Sequence, residues 1–236
     1  MLTAGLSRGA ISPLLLFYRR CRCLGLLALT GMQVACSSHS PLPAVFASGY
    51  LADRGVVRLW RQDEPQQQLT TLVTVFTPLE GDEIRITRYH FQQGVLREVA
   101  EKRTTSPREE VRLRFDQAGT VSYMQRQLPQ RRESLSEDDI ALYQFDARQR
   151  LALSDSLRAG HVLLRQGHWQ AGQVTTCEGQ SVRPDWDGSA QRWINQQAAQ
   201  AKGALGIAWL SSPQGTQLLQ MAEEDFCRFE PFKEGE

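Results

Sequence analysis

Acidic residues are absent from the start of this chain. No aspartate or glutamate precedes Asp53, whereas Arg8, Arg19, Arg20 and Arg22 all lie in that stretch. Long apolar runs are also missing. The strongest, Leu24 to Ala35, falls short of the roughly 20 residues a membrane-crossing helix needs, which disfavours a retained transmembrane anchor. Beyond residue 35 there is no Gly-x-Gly-x-x-Gly, no Walker sequence and no Gly-x-Ser-x-Gly. Ser37, Ser134 and Ser211 therefore lack the turn that would expose a nucleophile, and a glycine-rich phosphate cradle is excluded. Cysteine is scarce, and no Cys-x-x-Cys occurs, the spacing that a redox pair favours.

The start of the chain has the layout of an export signal. Basic charge comes first, an apolar core over 24–35 follows, and small residues mark the end. Val34-Ala35-Cys36 matches a lipobox and Ser37-Ser38 continues it, with Gln33 standing where an aliphatic residue is usual. The expectation is a signal peptide over 1–35, a lipid on Cys36 and a tether over 36–45 rich in Ser and Pro. A single β-rich periplasmic domain over 46–236 follows. By resemblance to enterobacterial lipoproteins, Ser37 after the lipidated cysteine implies the periplasmic face of the outer membrane. Cleavage after Ala47 into a soluble periplasmic protein is the alternative.

Removing 1–35 takes away four of the 27 basic residues and none of the 26 acidic ones, so the mature net charge is about −3. That argues against a nucleic-acid partner, which needs a clustered basic excess. Of five cysteines, Cys21 and Cys23 go with the signal and Cys36 takes the lipid. Cys177 and Cys227 remain in an oxidising compartment and are expected to form a disulfide, with a metal pair as the alternative.

Strand signals separated by turns fill 56–61, 69–76, 83–91, 95–103, 111–115 and 120–128. Over 111–115 apolar and basic residues alternate, giving one dry and one wet face. In 83–91, Ile84 and Ile86 share one phase and Tyr89 and Phe91 the other, which suggests a bulge or burial on both faces. Ser136 followed by Asp138 and Asp139 starts a helix. It runs to Gly160 with a break near Asp155, and Ile140, Tyr143, Ala147 and Leu151 form its apolar stripe. A hairpin follows over 161–165 and 173–177, turning at Gln166-Gly167-His168. A second helix is expected over 187–201, and closing strands over 205–210, 216–221 and 225–229. The fold class is α+β: a twisted antiparallel meander sheet, open or curled into a half-barrel, with one or two helices on one face.

The stretches Ala47-Ser48-Gly49-Tyr50, Ser122-Tyr123-Met124-Gln125-Arg126-Gln127 and Asp138-Asp139-Ile140-Ala141-Leu142-Tyr143-Gln144-Phe145-Asp146-Ala147 resemble the YjaH-type enterobacterial lipoproteins, a domain of unknown function. Leu157-Arg158-Ala159-Gly160, Val174-Thr175-Thr176-Cys177-Glu178-Gly179 and Glu224-Asp225-Phe226-Cys227-Arg228 extend the resemblance over nearly all of 46–229. It implies no activity.

No catalytic residue, metal site or cofactor is assigned. His161, His168 and Glu178 could meet on a metal but lack ligand spacing. Asp138 and Asp139 read as helix capping, and Arg126, Arg131 and Arg132 as a solvated face. The five tryptophans read as core. The leading function is a non-enzymatic, membrane-tethered envelope lipoprotein that binds an envelope protein partner. The alternative is a carrier or sensor holding an apolar ligand in the curved sheet. A contiguous apolar pocket would favour the carrier, and a filled core with an exposed aromatic patch the partner.

Overall fold

The computed structural model of the chain describes residues 45–104 and 107–232. The signal over 1–35, Cys36 and the tether up to residue 44 lie outside the described residues. Val45, the last tether residue, already belongs to a strand.

Eight strands form an antiparallel meander in sequence order. They are β1 (Val45–Ala52), β2 (Gly55–Glu64), β3 (Leu69–Pro78), β4 (Arg85–Gln92), β5 (Val95–Arg103), β6 (Glu109–Phe115), β7 (Val121–Gln127) and β8 (Arg132–Glu133). Both β1 and β8 remain edges, so the curved sheet does not close into a barrel. After α1 (Glu137–Ala159) come β9 (Leu163–Gln170), β10 (Gln173–Thr176) and β11 (Ser181–Val182). Then follow α2 (Gly188–Gln200), β12 (Leu205–Ser212) and β13 (Gly215–Ala222). These later strands form a second antiparallel sheet, in the order β11-β10-β9-β12-β13, rather than extending the first.

The side-chain pattern decides how the layers stack. Leu72, Tyr89, Phe91, Val99 and Leu113 face one side of the first sheet and form a core with Ile140, Tyr143, Ala147 and Leu151 of α1. Val56, Trp60 and Val75 face the other side and pack on Leu164, Leu210 and Leu219 of the second sheet. The far face of the second sheet buries Ile207, Trp209 and Met221 against Ile194 of α2. The layer order is therefore α1, first sheet, second sheet, α2, with one helix on each outer face. The phase switch in β4 serves this stacking. Ile84 and Ile86 pack toward the second sheet, Tyr89 and Phe91 toward α1, and the register shifts between His90 and Phe91.

Helix α1 starts as the sequence indicates. Ser136 Oγ accepts from the Asp139 amide at 3.1 Å, and Asp139 Oδ2 accepts from the Ser136 amide at 3.2 Å, so two otherwise unpaired donors are satisfied. The helix is not broken near Asp155. It runs unbroken to Ala159: Asp155 reaches Arg61 of β2, and Ser154 is fully buried and bonded to the Leu151 carbonyl.

Two other expectations are corrected. The hairpin turns at Ala171-Gly172, both at positive φ, and not at Gln166-Gly167-His168, which lie within β9. Gly167 is there for close approach: a Cβ would come 2.3 Å from the Thr175 carbonyl oxygen. The segment expected as a strand over 225–229 is instead a 3-10 turn, Phe226–Arg228, capped by the Asp225 carboxylate accepting from the Cys227 amide at 3.0 Å. Strand β1 was hidden by its small residues. Ser48 is fully buried, and Gly49 lets β1 lie close under Leu219 of the second sheet.

Candidate functional site

Polar side chains with partners far apart in sequence gather between α1 and the first sheet. Asp63 of β2 is one hub. Its carboxylate accepts from Arg61 Nε at 3.0 Å, from Thr70 Oγ1 at 2.8 Å and from Arg158 of α1. Burial alone would raise the Asp63 pKa, but the bonds from Thr70, Arg61 and Arg158 outweigh it and hold the carboxyl below its ordinary value. Arg61 also donates to Ser154 Oγ at 2.9 Å and to Asp155, so this hub fastens the C-terminal half of α1 to the sheet.

Glu101 and Glu109, both buried, form a second hub on the same face. Glu101 accepts from Thr87 Oγ1 at 3.2 Å, from the Tyr143 hydroxyl at 3.2 Å and from Arg103 Nε at 3.4 Å. Glu109 accepts from Arg126 Nε at 2.6 Å and lies 3.3 Å from Arg103. Burial and the nearby Glu101 charge push the Tyr143 hydroxyl well above its ordinary pKa, so it stays a donor.

Beside the second hub lies a polar cavity of about 130 Å³ whose wall includes Arg85, Glu101, Asp146 and Arg150. Burial raises the Asp146 pKa; Arg85 opposes the rise and Glu101 adds to it. Burial lowers the pKa of Arg150. A carboxyl shifted upward and two cations facing one small space is an arrangement suited to holding a small polar ligand.

Two further features sit where the sheets meet. Arg58 is 2 % exposed and burial pushes it down to about 10, with the Glu224 charge countering. It donates to Gln166 Oε1 at 2.9 Å and its guanidinium lies 4.7 Å from the Phe226 ring centroid. Nearby, a cavity of about 330 Å³ is lined by Val45, Trp60, Leu164, Cys177, Glu178 and Phe232, among others.

The residues singled out from sequence fall as follows. Cys36 lies outside the described residues. Cys177 and Cys227 are joined in a disulfide, Cα to Cα 5.3 Å. His161, His168 and Glu178 are not brought together. Among the described residues, His168 instead meets Asp225, Nε2 to Oδ1 3.0 Å, and Cys227. The sulfur of Cys227 is occupied by the disulfide, so that trio cannot ligate as it stands. Arg126 bonds Glu109, Arg131 lies against Glu133 and Arg132 donates to Gln127, which disperses the basic group into local pairs. Trp60 and Trp209 are buried, and Trp186 meets Trp209 edge to face at 6.0 Å. Trp193 is exposed.

Arg85, Asp146 and Arg150 were missed. Asp146 and Arg150 are four apart on a helix, the spacing of an ordinary surface ion pair. For Arg85 there was one signal. It sits in the same phase as Tyr89 and Phe91, so it had to face the α1 side of the sheet.

No solved structure matches the chain. The uncharacterized protein YjaH of Escherichia coli (strain K12) is 40% identical over 228 residues, which cover 95% of this chain and 96% of that protein. The model of a protein family of unknown function, DUF1481, matches residues 47–232, the two sheets and both helices together, and the chain belongs to that family.

Proposed function

We propose that the protein is a non-enzymatic, membrane-tethered envelope lipoprotein that docks an envelope partner protein through the outward face of α1. The observation carrying this reading is the division of labour on that helix. Its inward stripe fills the curved face of the first sheet, leaving no large apolar cavity there among the described residues. Its outward face nevertheless presents Leu142, 59 % exposed, and Phe145, 52 % exposed, three residues apart and so neighbours on the helix surface. Apolar and aromatic anchors of this kind are what a docking surface uses. The carrier alternative has less support, since the 330 Å³ cavity at the sheet junction is partly lined by Glu178 and Gln166, and one of about 470 Å³ is lined by Arg58, Glu223, Glu224 and Asp225 among others. The tether rests on the basic leader, the apolar core over 24–35 and Cys36. Among the described residues no helix is long and apolar enough to cross a membrane.

Placing a photo-crosslinking amino acid at Phe145 in intact cells tests the docking surface. The expected result is a discrete adduct that disappears in Leu142→Arg and is absent when the crosslinker replaces the exposed Gln217 of β13. No adduct at Phe145, or the same adducts at both positions, would contradict the reading.

A further inference from the structure

The arginines beneath α1 fall into two groups. Arg61, Arg103, Arg126 and Arg158 each contact a carboxylate. Arg85 and Arg150 do not. Arg85 Cζ lies 4.6 Å from the Phe76 ring centroid and Arg150 Cζ lies 5.5 Å from that of Tyr50. Among the described residues, neither guanidinium makes a hydrogen bond or comes within 4.0 Å of a carboxylate oxygen. A ring face holds a cation in place but leaves the N–H edges of the guanidinium fork free to donate. Both arginines line the 130 Å³ cavity, as does Asp146, whose carboxylate also makes no hydrogen bond among the described residues.

The charges around the cavity favour an anion. Glu101 is the other acid on its wall, but its oxygens already accept from Thr87, Tyr143 and Arg103, and the Glu101 and Glu109 charges are together matched by Arg103 and Arg126. Tyr89, also on the wall, is kept protonated by burial, with the Asp146 and Glu101 charges adding to the effect. That leaves two cations against the one carboxylate of Asp146. The space, about 130 Å³, is room enough for a tetrahedral oxyanion.

We propose that this cavity binds a phosphate-type oxyanion, with Arg85 and Arg150 donating to its oxygens and Asp146 accepting from its P–OH group. Paired guanidinium donors suit phosphate oxygens. The carboxylate adds selectivity. Inorganic phosphate near neutral pH carries a proton to give, whereas sulfate has none and would meet the Asp146 charge directly. A phosphomonoester in its dianionic form is disfavoured for the same reason, which makes the free anion the preferred source.

The test is calorimetric titration of the full-length protein, purified in detergent, with sodium phosphate, sodium sulfate and glycerol 3-phosphate at about pH 7.5. Saturable phosphate binding is expected, with sulfate and the ester each about tenfold weaker or more. Arg85→Gln and Arg150→Gln should each weaken phosphate by about tenfold or more with an unchanged circular dichroism spectrum. Asp146→Asn should instead narrow the gap, bringing phosphate and sulfate within about threefold, because an amide can donate to either anion. That change in selectivity is one a mere folding defect would not produce. No saturable binding of phosphate up to about 10 mM overturns the proposal, as does binding that neither arginine substitution weakens. Sulfate or ester binding as tightly as phosphate overturns the role given to Asp146.

Discussion

Exchanging Cys177 and Cys227 together for alanine is expected to cost about 4 kcal/mol of stability and to lower the melting temperature by about 10 °C. The disulfide closes a loop across a sequence separation of 50 residues, so its absence frees a large unfolded ensemble. It also fastens a part of the fold that has little backbone pairing of its own. Among the described residues beyond β13 the chain makes only the short 3-10 turn, yet Phe226, Phe229 and Phe232 from this segment pack in the core between the sheets. Cys227 adjoins Phe226, and Cys177 follows β10 directly, so the bond clamps the last apolar anchors to the second sheet. In the double variant, amide exchange should quicken first over 225–232 and along β9. A loss below about 1 kcal/mol, or exchange that quickens evenly over the whole domain, would show that the segment is held by packing alone.

Asp63→Ala should destabilise the protein by about 2–4 kcal/mol at neutral pH, because Arg61 and Arg158 lose the carboxylate that both of them contact. The pH dependence has a definite sign. The folded carboxyl titrates below the unfolded one, since the bonds from Thr70, Arg61 and Arg158 overcome the burial that would raise it. Its stabilisation is thus complete above an unfolded pKa of about 3.9 and drains away as pH falls through the lower folded value. Urea unfolding of wild type and variant at neutral pH and in acid should show the difference shrinking only below about pH 4. A difference of equal size at both would mean that Asp63 acts through packing and not through charge.

What could be read from the sequence was what local chemistry controls. Strands β2 to β7 and the start of α1 follow from alternation, turn residues and the Ser136 cap, and the structure places them within a few residues. The errors came where tertiary contact sets the meaning of a residue. Gly167 looks like a turn until β10 is laid against it, and Ser48-Gly49 shows no strand pattern until β2 and Leu219 press on it. The same limit applied to the site. Nothing local distinguishes Arg85 or Arg150, held over aromatic rings, from Arg61 or Arg126, held by carboxylates. Only the fold brings Phe76 to one and Tyr50 to the other. His168 and Glu178 share a hairpin in the sequence, but the partner of His168 is Asp225, 57 residues away in sequence, a pairing set by the disulfide-bound turn.

The proposed function stands first on the tether, and the fate of Cys36 tests it most directly. The measurement is the distribution of the protein between outer membrane, inner membrane and soluble periplasm in cells producing either wild type or Cys36→Ala. Wild type is expected to sediment with the outer membrane and Cys36→Ala to leave it, either released or retained elsewhere. A Cys36→Ala protein that sediments with the outer membrane as wild type does would contradict the lipid anchor.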